Sequence, residues 1–140
     1  MTNGEDLVDT LRRFNLFADL DRAQLEAIAD PDSERSFGAG ERILRRGMSG
    51  SGFYVILDGE ATVTLGGAEL NRLRQGDFFG EISTLLDEPL TADVTAETPV
   101  RVLEIPGPRL EAFLLSYPKV MLRMLVTEAR RLQEVLDWRS

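Results

Sequence analysis

A chain of 140 residues with 43% apolar and 29% charged content has the length and make-up of one globular domain with a real core. It holds no cysteine and no histidine, which excludes disulfides, thiolate or imidazole metal ligation and the usual imidazole base. The 16 basic residues set against 24 acidic ones leave a net charge of −8, a field that does not draw in the phosphate backbone of nucleic acid.

Met1–Asp6 is polar and acidic, without the apolar run of a signal peptide, and no stretch approaches about 18 consecutive apolar residues. A cytoplasmic protein without membrane contact is expected, folded as a single domain over residues 1–140. Leu7, Val8, Leu11, Phe14 and Leu16 recur at roughly helical spacing and open a helical region over residues 5–32. Within it, Asp21 precedes Arg22–Ala29 and Gln24 follows three residues later, the pattern of a capping box. This second helix should stop near Asp30-Pro31, because a residue before proline is pushed out of the helical region.

From 33 to 106 the period changes. Glycines punctuate short apolar stretches at 42–44, 53–57, 61–65, 69–73, 91–96 and 100–105, which predicts a small antiparallel β-roll or barrel. Leu65-Gly66-Gly67-Ala68 reads as a two-residue hairpin turn, and Asp58-Gly59 as another turn. Helices return over 108–139, first at Arg109–Ser116 and then from Pro118, a residue suited to the first position of a helix. In the last helix Leu122, Leu125, Ala129, Leu132 and Leu136 alternate at spacings of three and four. That heptad-like seam either packs on its own roll or pairs with a second copy.

Residues 78–92 carry the chemistry. Gly80 lets backbone N–H groups approach a bound anion, residues 82–86 can form a short helix aimed at it, and Glu81 can accept a hydrogen bond from a sugar hydroxyl. The other readings of these residues are a tight turn at Gly80 and a carboxylate that caps or pairs locally at Glu81. Phe78-Phe79-Gly80-Glu81-Ile82-Ser83 with Glu88-Pro89-Leu90-Thr91-Ala92 resembles the phosphate-binding cassette of cyclic nucleotide-binding domains. The likeness extends to Leu16–Leu20 and Leu25–Ala29, to Phe37–Leu44 with Gly47, and to Phe53–Ala61, so it covers almost the whole chain. Met48 departs from the acidic residue usual after that glycine. The resemblance implies an antiparallel β-roll (jelly roll) between helices, a small-molecule ligand held by Phe79, Gly80, Glu81, Ile82, Ser83, Leu90, Thr91 and Ala92, and pocket walls at Leu70 and Leu73. It also implies a lid residue from the last helix, Leu136 or Trp138.

One cassette position is altered. The resemblance implies an arginine after the proline, and Leu90 stands there. Leucine supplies neither the fixed charge nor the bidentate fork that phosphate recognition uses. Arg101 falls on the following strand, out of register, while Arg72 and Arg74 share a face with Leu70 and opposite Leu73; Arg72 reaches the pocket only if Leu70 faces it. Leu90 therefore suits weak or absent cyclic AMP and cyclic GMP binding, an uncharged or lipid-like ligand, or a pocket sealed into a structural module. No cofactor and no metal are expected, and no catalysis, since Ser83 and Thr84 lack a base and Asp87-Glu88 reads as turn charge. The expected function is a regulatory ligand-binding module, or else a ligand-free assembly module dimerising through 118–139.

Overall fold

The computed structural model describes residues 4–49 and 52–136. Helix α1 (Gly4–Arg12), a 3-10 turn at Asn15–Phe17 and α2 (Arg22–Ile28) lead into eight strands, and α4 (Gly107–Ser116) and α5 (Pro118–Leu136) follow them. The strands are β1 (Glu34–Phe37), β2 (Arg42–Leu44), β3 (Gly52–Asp58), β4 (Ala61–Leu65), β5 (Ala68–Leu73), β6 (Phe78–Phe79), β7 (Asp93–Ala96) and β8 (Val100–Pro106), with α3 (Glu81–Leu86) between β6 and β7. Local chemistry sets the ends. Asp21 accepts from the Gln24 N–H and Gln24 answers from its side chain, so the capping box is formed. Gly66 and Gly67 take φ of 58° and 85°, the left-handed pair that a tight hairpin between β4 and β5 requires.

Two antiparallel four-stranded sheets, ordered β1-β8-β3-β6 and β2-β7-β4-β5, face each other as a β-roll. Strand β3 is buried along both faces, and its alternation divides the interior in two. Phe53, Val55 and Leu57 point to the helices, where they meet Leu7, Leu11, Phe17, Leu110 and Val120. Tyr54 and Ile56 point into the roll, against Leu44, Leu73, Phe79, Leu90 and Val102.

Helix α5 lies on the helical side by a narrow stripe. Val120 and Met124 are buried, and the Arg123 guanidinium grips both carboxylate oxygens of Asp19 at 2.8 and 3.0 Å and the Asn15 side-chain oxygen Oδ1 at 2.6 Å. The Arg123 guanidinium in turn holds the Asp19 carboxyl below its ordinary range. The seam residues face the other way: Leu122, Leu125 and Leu132 are 59%, 63% and 61% exposed. Packing of that seam on its own roll, one of the two expectations, is thus excluded.

Strand β1 and the two-residue β6 were not foreseen. Glu34–Phe37 is polar, and it is recruited as an edge strand by pairing with β8, where Arg101 binds Glu34 at 2.9 Å. Phe53→Ala should lower unfolding free energy by about 3–5 kcal/mol, as expected for deleting a buried aromatic. Leu70→Ala, on the solvent side of β5, should change it by less than about 0.5 kcal/mol. Urea unfolding of both variants checks the pair.

Candidate functional site

The cassette folds around one glycine. Gly80 sits at φ 88°, and a Cβ there would strike the Gly52 carbonyl oxygen and the Tyr54 ring. Only glycine permits that close approach of α3 to β3. The Thr84 hydroxyl lies 3.0 Å from the Gly80 carbonyl oxygen and 3.2 Å from that of Gly52, which ties the first turn of α3 to the strand. Helix α3 closes at Asp87, whose left-handed φ of 54° turns the chain back along residues 88–90. Leu90 is then stapled to the 47–48 loop, its N–H donating to the Met48 carbonyl at 2.9 Å and its own carbonyl accepting from the Gly47 N–H at 2.8 Å.

These constraints enclose a cavity of ≈ 210 Å³. Phe79, Gly80, Glu81, Ile82, Ser83, Leu90, Thr91 and Ala92 all line it, as does Leu73. The expectation that Leu70 is a wall is corrected. Residues 71 and 73 share the inward parity of β5, so Asn71 and Leu73 line the cavity while Leu70 is 60% exposed. The same parity removes Arg72 from the site. It pairs with Glu69 at 3.2 Å, Arg74 with Glu60 at 3.1 Å and Arg101 with Glu34 at 2.9 Å. Leu90 is buried in the apolar cluster inside the roll, so the floor at its position carries no charge. Trp138 lies outside the described residues, and Leu136 does not line the cavity.

The side chain that reaches in from the last helix is Arg131, which sequence reasoning missed. Its guanidinium lies 2.8 Å from Glu128 Oε1 and 3.6 Å from Glu81 Oε1, stands 4.8 Å from the centre of the Phe78 ring, and donates to the Phe78 carbonyl at 3.4 Å. The signal available was helical spacing alone: 120, 124, 127, 128 and 131 fall on one face, which places Arg131 on the same side as the buried Val120 and Met124.

Glu81 is the electrostatic centre. Only 3% exposed, it pairs with Arg131 through Oε1, while Oε2 accepts no hydrogen bond among the described residues. Burial, reinforced by the neighbouring Glu128 carboxylate, pushes its carboxyl up to about 7, and Arg131 pulls the other way without prevailing. No group of residues among those described is arranged to hold a metal ion.

A carboxyl raised above its ordinary 4.5 stabilises the fold fully below that value, and this contribution is lost as pH rises through about 7. Unfolding free energy should therefore fall from pH 5 to pH 8 by a contribution on the order of 3 kcal/mol from this group. Glu81→Gln should flatten that slope in denaturant titrations at the two pH values, and an unchanged slope would place the titration elsewhere.

The description "cyclic nucleotide-binding domain" fits residues 34–117 by family model. The cGMP-dependent protein kinase of Toxoplasma gondii is 32% identical over 127 residues, which are 91% of this chain but 13% of that protein. The chain thus spans a small part of that curated relative. Among solved structures, the N-terminal domain of a transcriptional regulator from Streptomyces coelicolor is 31% identical, with a TM-score of 0.67, covering 92% of this chain and 96% of that one. The regulatory subunit of a cAMP-independent protein kinase A from Trypanosoma cruzi, bound to guanosine, shares the fold at 23% identity and a TM-score of 0.74, over 96% of this chain and 49% of that one. The family match over most of the chain and the paired four-stranded sheets converge on one conclusion: this chain belongs to the cyclic nucleotide-binding domain family.

Proposed function

We propose that residues 1–140 form a single non-catalytic regulatory module that binds a small molecule in the cassette cavity and holds cyclic AMP and cyclic GMP weakly or not at all. The observation that carries this reading is Leu90, buried in the floor where an arginine would meet the phosphate, with Arg72, Arg74 and Arg101 each held by a carboxylate of its own. Removing one partner of a buried charge pair costs about 2–5 kcal/mol, or roughly 30- to several thousand-fold in affinity. The guanosine-bound Trypanosoma cruzi relative supports it from another side, since that protein of the same fold accommodates a ligand with no phosphate. The same reading puts the module in the cytoplasm; no helix among the described residues is long and apolar enough to cross a membrane.

Labelled cyclic AMP and cyclic GMP should fail to reach sub-micromolar binding to the wild type, and Leu90→Arg should raise affinity by about 30-fold or more. Sub-micromolar binding to the unaltered protein would overturn the reading.

One observation favours a second reading, assembly through α5. Leu122, Leu125, Ala129, Leu132 and Leu136 form a continuous exposed stripe opposite the face that seats α5 on its own domain. An apolar stripe at heptad spacing is self-complementary, because the same positions of a second copy meet it. Light scattering should give the mass of a dimer for the wild type and of a monomer for Leu132→Glu. Two monomers would sink the idea.

A further inference from the structure

We propose that Arg131, which lines the cassette cavity from α5, and Glu128, which pairs with it, are specificity-determining residues that make the cavity a site for a neutral ligand with paired hydroxyls, such as a ribonucleoside, and select against a phosphate. The inference rests on the reading of the cavity as a ligand site and goes beyond it in naming the ligand class and the residues that choose it.

The charges around the cavity decide the sign. Leu44, Leu73, Phe79, Leu90 and Val94 contribute only apolar surface. The guanidinium of Arg131 is already committed to Glu128 at 2.8 Å, to the Phe78 carbonyl at 3.4 Å and to Glu81 at 3.6 Å. A phosphate that approaches it meets two carboxylates, Glu128 and Glu81, already gathered on that one positive charge. Like charges gathered this closely disfavour one another. A neutral ligand leaves the arrangement untouched.

The second observation is the orphan oxygen. Glu81 Oε2 is buried in the cavity wall and accepts no hydrogen bond among the described residues, so it calls for a donor. Adjacent hydroxyls on one ring present two O–H donors to a single carboxylate. Asn71 on the opposite wall offers both a donor and an acceptor to the rest of such a ligand, and the apolar side chains suit the face of a base.

Titration gives an independent handle. The charged groups facing Glu81 are Glu128 and Arg131 of α5; β3 and β6 present Tyr54 and Phe79, and β5 presents Asn71 and Leu73. As Glu81 loses its proton near pH 7 it becomes the better acceptor and the worse neighbour for an anion. Nucleoside affinity should rise from about pH 6 to about pH 8, while cyclic nucleotide affinity falls over the same range.

The test is calorimetry of the protein and of Glu128→Gln with adenosine, guanosine, their 2′-deoxy analogues, cyclic AMP and cyclic GMP, at both pH values. At the higher pH at least one ribonucleoside should bind about tenfold tighter than both its deoxy analogue and its cyclic phosphate. Glu128→Gln should strengthen the cyclic nucleotide by roughly tenfold and move the ribonucleoside by less than about threefold. Equal affinity for ribo and deoxy forms overturns the inference and leaves the ligand-site reading standing, as does Glu128→Gln shifting both ligands alike. A wild type that prefers the cyclic nucleotide overturns the inference, and sub-micromolar binding of it overturns the proposed weak binding as well. No binding of any of the six overturns the inference and leaves the weak or absent cyclic nucleotide binding standing. The opposite pH trends in the wild type serve as the second readout, so a poorly folded variant does not protect the idea.

Discussion

Strand β3 is packed on both faces, and the rest of the molecule is arranged around that fact. A half-buried strand shows solvent one row of side chains, but here one row fills the roll and the other receives the helices. Phe53 and Tyr54 are neighbours in sequence and belong to different cores. The ring of Phe53 meets Phe78 at 5.5 Å on the helical side, and Tyr54 stacks on Phe79 at 5.1 Å inside the roll. Two consecutive strand residues thus brace two consecutive cassette residues from opposite sides. The loop that follows, with Gly80 against Gly52 and Tyr54, inherits its position from this bracing.

That rigidity is what lets the site carry an unfavourable group. A carboxylate with 3% exposure and one oxygen without a hydrogen bond among the described residues is destabilising in isolation, and it persists because the packed backbone around it fixes its place. Arg131 offsets part of the penalty from α5, yet brings Glu128 with it. The charged groups of the cavity are therefore assembled across two parts of the fold, the cassette and the last helix, while its apolar walls come mostly from the roll.

Much of this was legible in the residues, and the illegible parts share a cause. The capping box at Asp21, the hairpin at Gly66-Gly67 and the start of α5 at Pro118 are encoded within four residues of where they act, and each formed as expected. Cassette residues 79–83 and 90–92 were found together because a short loop and helix bring them round one cavity. Strand β1 was missed because its pairing with β8 joins residues more than 60 positions apart, and its own side chains are polar. Leu70 was placed wrongly because hydropathy was allowed to outvote parity: the strand puts exposed Leu70 and buried Leu73 on opposite faces whatever their chemistry. Arg131 lies 50 positions from Glu81, and no local pattern announces that meeting.

Helix α5 holds Arg131 and Leu132 side by side, one turned to the cavity and the other to solvent. About 100° of helix surface separates adjacent residues, and a helix turns as a rigid body. Anything that grips the outer stripe and rolls α5 about its axis therefore moves the guanidinium relative to Glu81, and anything that seats the guanidinium fixes the angle at which the stripe is offered.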